Sequence, residues 1–427
     1  MGTAVERNAV AASPAVSGGR TPALSTPYAM CCIVGLGGLF AGVTGPLVST
    51  FLPPLVRDVL GEHRTLIGAV MAIDNVLMLL LVPWAGVASD RLSARGRSRL
   101  PLVISGLLLS AAGMALFASS VTGTIAGVIA AIVVLYTGVN IQRSPFQALV
   151  ADLVPSRFRS LATGSVTFQM CVGAIVFLML GRMLGRQPAF LIAAASVLAI
   201  AVAFRFGLRE PGGVPSESSD TSYRSLIDAA LSVLRGAMPG MRAIFIATLL
   251  LQLTFQTFTT WYALHGTERF GIRPEDVTIG FIAWAVGGVI GALPAGVVGV
   301  RIGRRNAMLL GFGVMALSLL ALDRVASPAQ ATPLLALASA AWTFPTVSAY
   351  PLFVEPIPRA RRGVLAALFL LCIALGGAFG DPLNGSLFDL YGGYRPLFLL
   401  MTAYTVLAFV AVLFVPRGAG EAETGAV

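Results

Sequence analysis

Apolar runs of membrane-spanning length, separated by short polar turns, dominate the chain. They fall at about 29–56, 66–89, 101–119, 123–150, 161–184, 188–207, 241–265, 277–299, 306–322, 332–354, 363–388 and 395–415. Runs of about 20 apolar residues match the thickness of a bilayer core. Backbone polar groups there must be satisfied internally, so each run is expected to be a helix. The pattern predicts an all-α polytopic membrane protein with twelve transmembrane helices. One stretch, 208–240, breaks the rhythm. Its first part, REPGGVPSESSDTSYR, is a polar Pro/Gly/Ser-rich linker. Its second part places Leu226, Ile227, Ala230, Leu231 and Leu234 on one helical face, which predicts an amphipathic helix lying on the inner membrane surface. The expected organisation is a flexible tail (1–27), a six-helix half (28–207), the linker (208–240), a second six-helix half (241–416) and a short tail (417–427). The first tail has no apolar core of its own and does not read as a signal peptide; the first spanning helix is expected to serve as the targeting signal.

The charges orient this pattern. Between the second and third runs lies GVASDRLSARGRSRLP, residues 86–101, with Asp90 among Arg91, Arg95, Arg97 and Arg99. Such a turn cannot sit in hydrocarbon, and its arginine excess marks the cytoplasmic side. Counting from it, 20 arginines fall on the cytoplasmic side and 8 outside, with Arg143 inside the membrane and both termini cytoplasmic. The chain is 56% hydrophobic and 11% charged, with mean hydropathy +0.85, against about 25% charged for a soluble domain. The net charge of +10 is spread over short loops, where it sets topology rather than a nucleic-acid surface. There is no lysine among the 29 basic residues. That excludes a phosphate-loop lysine or a Schiff-base lysine on this chain. Cys31, Cys32, Cys171 and Cys372 lack metal-ligand spacing and are expected as small buried hydrophobes. With only His63 and His265 present, no metal site is expected, and no nucleophile–base pair suggests an enzyme. His265 is expected to be exposed.

The two halves repeat. Gly86-x-x-x-Asp90-Arg91 matches Gly296-x-x-x-Val300-Arg301 at an offset of 210, and Gly96-Arg97-Ser98-Arg99 matches Gly303-Arg304-Arg305. Asp152-Leu-Val-Pro155 matches Glu355-Pro-Ile-Pro358, and Pro188-Ala-Phe190-Leu matches Pro396-Leu-Phe398-Leu. Paired six-helix repeats are the architecture of alternating-access transporters. On these residues the chain resembles the major facilitator superfamily, whose signature after the second helix is Gly-x-x-x-Asp-Arg-x-Gly-Arg-Arg. The second copy departs from it at Val300. A narrower resemblance, to the sucrose–proton symporters and their relatives, rests on Ser89-Asp90-Arg91, on Gly96-Arg97-x-Arg99-x-Pro101, and on the end of the fourth helix. There Asn140, Pro145, Ala148, Leu149, Ala151, Asp152 and Leu153 match in register. Gln147 stands where that family carries an arginine thought to serve substrate binding, and Arg143 where it carries a glutamine. The resemblance implies a relative of sugar symporters with an altered substrate.

Candidate chemistry lies at depth in the helices. Asp74, in the second helix, and Asp381, in the eleventh, are candidate proton-coupling carboxyls, because an ionised carboxylate at such depth is costly unless paired or protonated. Asn140, Arg143 and Gln147, at i, i+3 and i+7, share one face of helix four. Gln252, Gln256 and Thr260 form a stripe on helix seven, with Trp261 beside it to stack on a sugar face or anchor at an interface; Asn384 follows Asp381 on helix eleven. A glycine-rich first helix (Gly35, Gly37, Gly38, Gly42, Gly45) permits close packing. Gly86, Asp90, Arg91, Arg97, Arg99, Asp152, Arg157, Arg159, Glu355, Arg359, Arg361 and Arg362 are expected to form a cytoplasmic gate, with Asp90 and its arginines locking the halves together. The expectation is a secondary active transporter of the cell membrane, functioning as a monomer without cofactor, in which protons drive uptake of a sugar or glycoside. Proton-antiport efflux of a drug or natural product is the alternative, and a non-transporting receptor or subunit a third reading.

Overall fold

The computed structural model describes residues 27–155, 158–208, 240–354 and 362–416. The expected amphipathic helix and the gate residues Arg157, Glu355, Arg359 and Arg361 lie outside that set. The described chain is a succession of helices: α1 (Pro27–Leu60), α2 (Arg64–Met71), α3 (Ile73–Ala94), α4 (Leu100–Ala118), α5 (Ile125–Leu153), α6 (Arg159–Leu184) and α7 (Arg186–Gly207) in the first half. The second half holds α8 (Met241–Phe270), α9 (Pro274–Ile302), α10 (Arg304–Arg324), α11 (Pro328–Val354), α12 (Arg362–Tyr391) and α13 (Leu397–Leu413). Helices α2 and α3 form one span, jointed at Ala72. Among the described residues, the helices from α1 to α10 include nine spans apolar and long enough to cross a membrane. Helices α11 and α12 have 27 and 30 residues, and α13 is a shorter apolar helix. Each boundary falls within a few residues of the apolar run that predicts it.

Proline and glycine place the joints. Pro46, Pro53 and Pro54 lie inside α1, and Pro145 inside α5. Each removes a backbone donor and permits bending. Along α1, Gly38 and Gly42 bring its backbone against the α6 backbone at Val166 and Met170, where a side chain would collide. Helix pairs α1–α6, α4–α5, α9–α11 and α10–α11 are the most extensively packed within each half. This is the close approach that small residues give in a bilayer, where apolar burial alone does not drive helices together.

The halves touch chiefly through α12 against α2 and α3, α9 against α6, and α8 and α9 against α1. At Gly68 a side chain would strike the Asp381 carbonyl, and at Gly385 it would strike that of Arg64. These contacts lie toward the end of the bundle that carries the α1–α2 turn, opposite the charged turn between α3 and α4.

Candidate functional site

Two polar clusters face one another across the junction of the halves. The first is built on α3 and α5. Asp74 lies in the first turn of α3, two residues past the Ala72 joint. Asn140 on α5 donates from Nδ2 to Asp74 Oδ1 at 3.3 Å, and is itself buried. One turn along α5, Arg143 Nη1 lies 3.3 Å from the Met78 sulfur of α3, and its side chain is exposed. Gln147, a further turn on, is exposed as well. Asn75 is buried against α12, where it fills the space beside Gly377.

The second cluster joins α8 to α12. Gln256 Nε2 donates to Asp381 Oδ2 at 3.0 Å and to Thr260 Oγ1 at 3.3 Å. Asp381 and Asn384 are fully buried. Asn384 donates to Thr257 Oγ1 at 2.7 Å and accepts from the Tyr404 hydroxyl at 2.8 Å. Gln252, one turn before Gln256, packs beside Gly376 of α12. Asp381 Oδ1 and Asn140 Oδ1 are buried without a hydrogen-bond partner among the described residues. In an apolar surrounding an unpaired polar atom is costly, so each is a point where a proton or a ligand donor would be favoured.

Three expectations are corrected. Trp261 does not stand at an interface: it is completely buried, with its ring 5.1 Å from Phe388 and 5.9 Å from Tyr394. His265 is not exposed. It is sealed beneath Phe398, with Nδ1 2.8 Å from the Tyr394 carbonyl. Of the cysteines, Cys31 and Cys372 are buried, but Cys32 is exposed and Cys171 partly so, because both lie on outer faces of their helices.

At the charged turn, Arg99 is 1% exposed and bridges two acids: Nη1 lies 3.2 Å from Asp90 and Nε 3.5 Å from Asp152. Asp90, Arg99 and Asp152 all belong to the first half, so these pairs join α3, α4 and α5 rather than the two halves. Arg91 and Arg97 are exposed. Gly86 admits the Ser144 hydroxyl of α5. Arg159 and Arg362 begin α6 and α12.

At the opposite end the halves are tied directly. The Asp389 carboxylate of α12 accepts from the Arg64 and Thr65 amides at 3.0 and 2.8 Å and from the Thr65 hydroxyl at 2.6 Å. It thereby caps the N-terminus of α2, a position where His63 makes no side-chain cap. The Arg64 guanidinium lies 3.8 Å from Asp389 and 4.9 Å above the Tyr394 ring. A second tie pairs Arg182 with Asp276 at 3.4 Å. Partial burial pushes the Asp389 carboxyl up, but the Thr65 and Arg64 hydrogen bonds and the Arg64 charge outweigh it and hold the group below its ordinary range.

The model of the family described as the Major Facilitator Superfamily matches residues 34–285 and 244–426. The chain belongs to the Major Facilitator Superfamily. No curated protein matches it in sequence. Among solved structures it is similar to the nucleoside transporter NupG, at 14% identity and a TM-score of 0.73, with 92% of this chain and 100% of that one covered. It is similar to a bacterial homologue of the lysosomal transporter Spinster in an inward-facing, occupied conformation, at 15% identity and a TM-score of 0.71, covering 92% and 97%. A D-xylose–proton symporter aligns at 17% identity and a TM-score of 0.67, covering 92% and 98%. At these identities the likeness establishes the fold. This member of the superfamily is a multi-pass membrane transporter of a small molecule, not an enzyme.

Phe255, Trp284 and Trp342 of this transporter, whose rings meet in the second half, are candidates that the polar pattern of the chain does not single out. Their signal lies in the repeat, since each half must supply one wall of a central site.

Proposed function

We propose that this transporter couples proton movement to uptake of a small polar solute, a sugar or glycoside, across the cell membrane by alternating access. The observation that carries the reading is the pair of carboxyls, Asp74 and Asp381, set one in each half at membrane depth. Each is hydrogen-bonded to a carboxamide, Asn140 or Gln256. A carboxyl that gains a proton in one conformation and loses it in the other changes the cost of its burial, and so couples the proton to the switch. Amide and hydroxyl groups on α5, α8 and α12 suit a neutral hydroxylated solute. The match of residues 140–153 to the sugar symporters supports the same class.

Arginine asymmetry puts the charged turn in the cytoplasm and the Asp389–α2 cap outside. In that orientation the tied outer end and the exposure of Arg143 and Gln147 support a state open to the cytoplasm.

Proteoliposomes carrying an imposed proton gradient test the reading. Asp74→Asn is expected to abolish proton-driven accumulation while retaining solute exchange, and Asp381→Asn to reduce both. Normal accumulation by Asp74→Asn would overturn coupling through this carboxyl. A thermal-shift screen with sugars, glycosides and lipophilic cations tests the solute class, since stabilisation by the cations alone would favour efflux.

A further inference from the structure

The internal repeat identifies which residues of the second half stand where the polar cluster stands in the first. Glu355 follows Asp152 at an offset of 203, and packing is consistent with that register: Gly106 is closed by Gln142, and Gly311, 205 residues on from Gly106, by Pro345, 203 residues on from Gln142. Asn140, Arg143 and Gln147 of α5 therefore correspond to Thr343, Thr346 and Tyr350 of α11. At the offset of 210 set by Gly86 and Gly296, Asp74 corresponds to Trp284. The second half answers a carboxylate and a guanidinium with a tryptophan and a hydroxyl.

Around those positions the rings form a wall. Phe255 stacks on Trp342 with centroids 4.9 Å apart and planes 22° apart. Trp284 stands behind them, 6.4 Å from Phe255 and 6.3 Å from Trp342, and is itself backed by Phe258 at 4.2 Å. Trp284 is buried, whereas Phe255 and Trp342 keep part of their surface open. The open side is not the lipid side. Exposed Leu337 and Val347 stand five residues before and after Trp342 on α11, each about 140° away around the helix. One and two turns on from Trp342 are half-buried Thr346 and exposed Tyr350, the counterparts of Arg143 and Gln147. On α8, Phe255 shares a face with Gln252 and Thr259, at i−3 and i+4, and adjoins Gln256, the donor to Asp381. Trp342 Nε1 is buried without a hydrogen-bond partner among the described residues.

We propose that Phe255 and Trp342, backed by Trp284, form a subsite for a planar unsaturated ring of the substrate, facing the Asp74–Asn140–Arg143 cluster. The transported molecule is then amphiphilic: a hydroxylated moiety held by the amides and the guanidinium, joined to a flat ring held by this wall, as in an aryl glycoside or a nucleoside. This rests on the sugar-or-glycoside reading above and narrows it. Offset or edge-on ring stacking supplies discrimination of about two- to tenfold between a substrate with the ring and one without.

The test is a binding titration of the purified full chain with two matched pairs: methyl against phenyl β-glucoside, and ribose against uridine. The ring-bearing member is expected to bind about fivefold more tightly in the unaltered protein. Trp342→Leu is expected to reduce that ratio to about one, and Trp342→Phe to retain most of it. An unaltered thermal melting transition shows that each variant is folded. Equal affinities within each pair, or a ratio indifferent to Trp342→Leu, overturn the subsite and leave the sugar reading standing. Failure of all four probes to bind overturns both.

Discussion

Arg143 sits where an arginine should be hardest to place, inside an apolar helix bundle, and it is nevertheless exposed. Its recorded contact is the soft Met78 sulfur, which does nothing to neutralise it. A guanidinium held at membrane depth must face water or an anionic or hydroxylated partner. It stands one turn from Asn140 and therefore beside the Asp74 carboxyl, which Asn140 contacts. A lysine retains the charge but not the planar fork that donates two parallel hydrogen bonds. Arg143→Lys is therefore expected to raise the apparent KM for uptake about tenfold, with kcat and thermal stability nearly unchanged. The concentration dependence of initial rates checks it; an unaltered KM would assign Arg143 a structural role. Residues of this kind were legible because a charge inside an apolar run is conspicuous. His265 and Trp261 were not. Each lies near the end of an apolar run, where sequence leaves open whether the side chain points outward or is roofed by another element, and in both cases Tyr394 and its neighbours supply the roof.

At the scale of helices, α2 begins without a cap from its own half and receives one from α12. Helix N-termini leave several amides unsatisfied, and a carboxylate cap is worth about 0.5–2 kcal/mol. Because Asp389 joins the two halves, that stabilisation belongs to the tied conformation alone and is lost when the ends separate. The Asp389 side chain is 36% exposed, so solvent reduces its charge contribution toward the lower part of that range. Asp389→Ala is expected to shift the equilibrium about two- to fivefold toward the state open at this end. Distances between spin labels placed on the α1–α2 and α12–α13 turns would read it. The sign of the pH effect follows from the depressed carboxyl. Its contribution is fully present above the ordinary carboxylate range and disappears as pH falls through the lower folded value. Acidification should thus reproduce the Asp389→Ala shift in the unaltered protein and add nothing in the variant. A pH effect equal in both would place the sensor elsewhere. The cap was invisible in sequence because the partners are 324 and 325 residues apart. The helix ends, by contrast, followed from run length alone.

For the whole molecule, the location of the ties decides how the halves can move. The charged turn between the second and third apolar runs suggests a lock between the halves. The structure instead uses Asp90, Arg99 and Asp152 to bind α3, α4 and α5 into one body. Arg99 is buried between two partly exposed acids, and removing it would leave both carboxylates uncompensated, so this cluster favours a half that moves as a unit. The twofold repeat made the existence of two such bodies legible. Which residues join them was not, since that depends on how the halves face in a given state. In the conformation seen, they are joined at the end bearing Asp389, where Gly68 and Gly385 allow backbones to meet. If transport requires that junction to open in each cycle, covalently closing it must stop transport. With the four native cysteines replaced by serine or alanine, Thr65→Cys and Asp389→Cys would bring two thiols to positions whose native side chains are 2.6 Å apart, within reach of a disulfide. Oxidation is expected to reduce uptake at least tenfold, and a reductant to restore it, while either single variant is indifferent to both. Uptake that persists with the cross-link verified by mass spectrometry would mean that the halves exchange access without parting at this end, and the rocking of two rigid bodies about the central site would have to be abandoned.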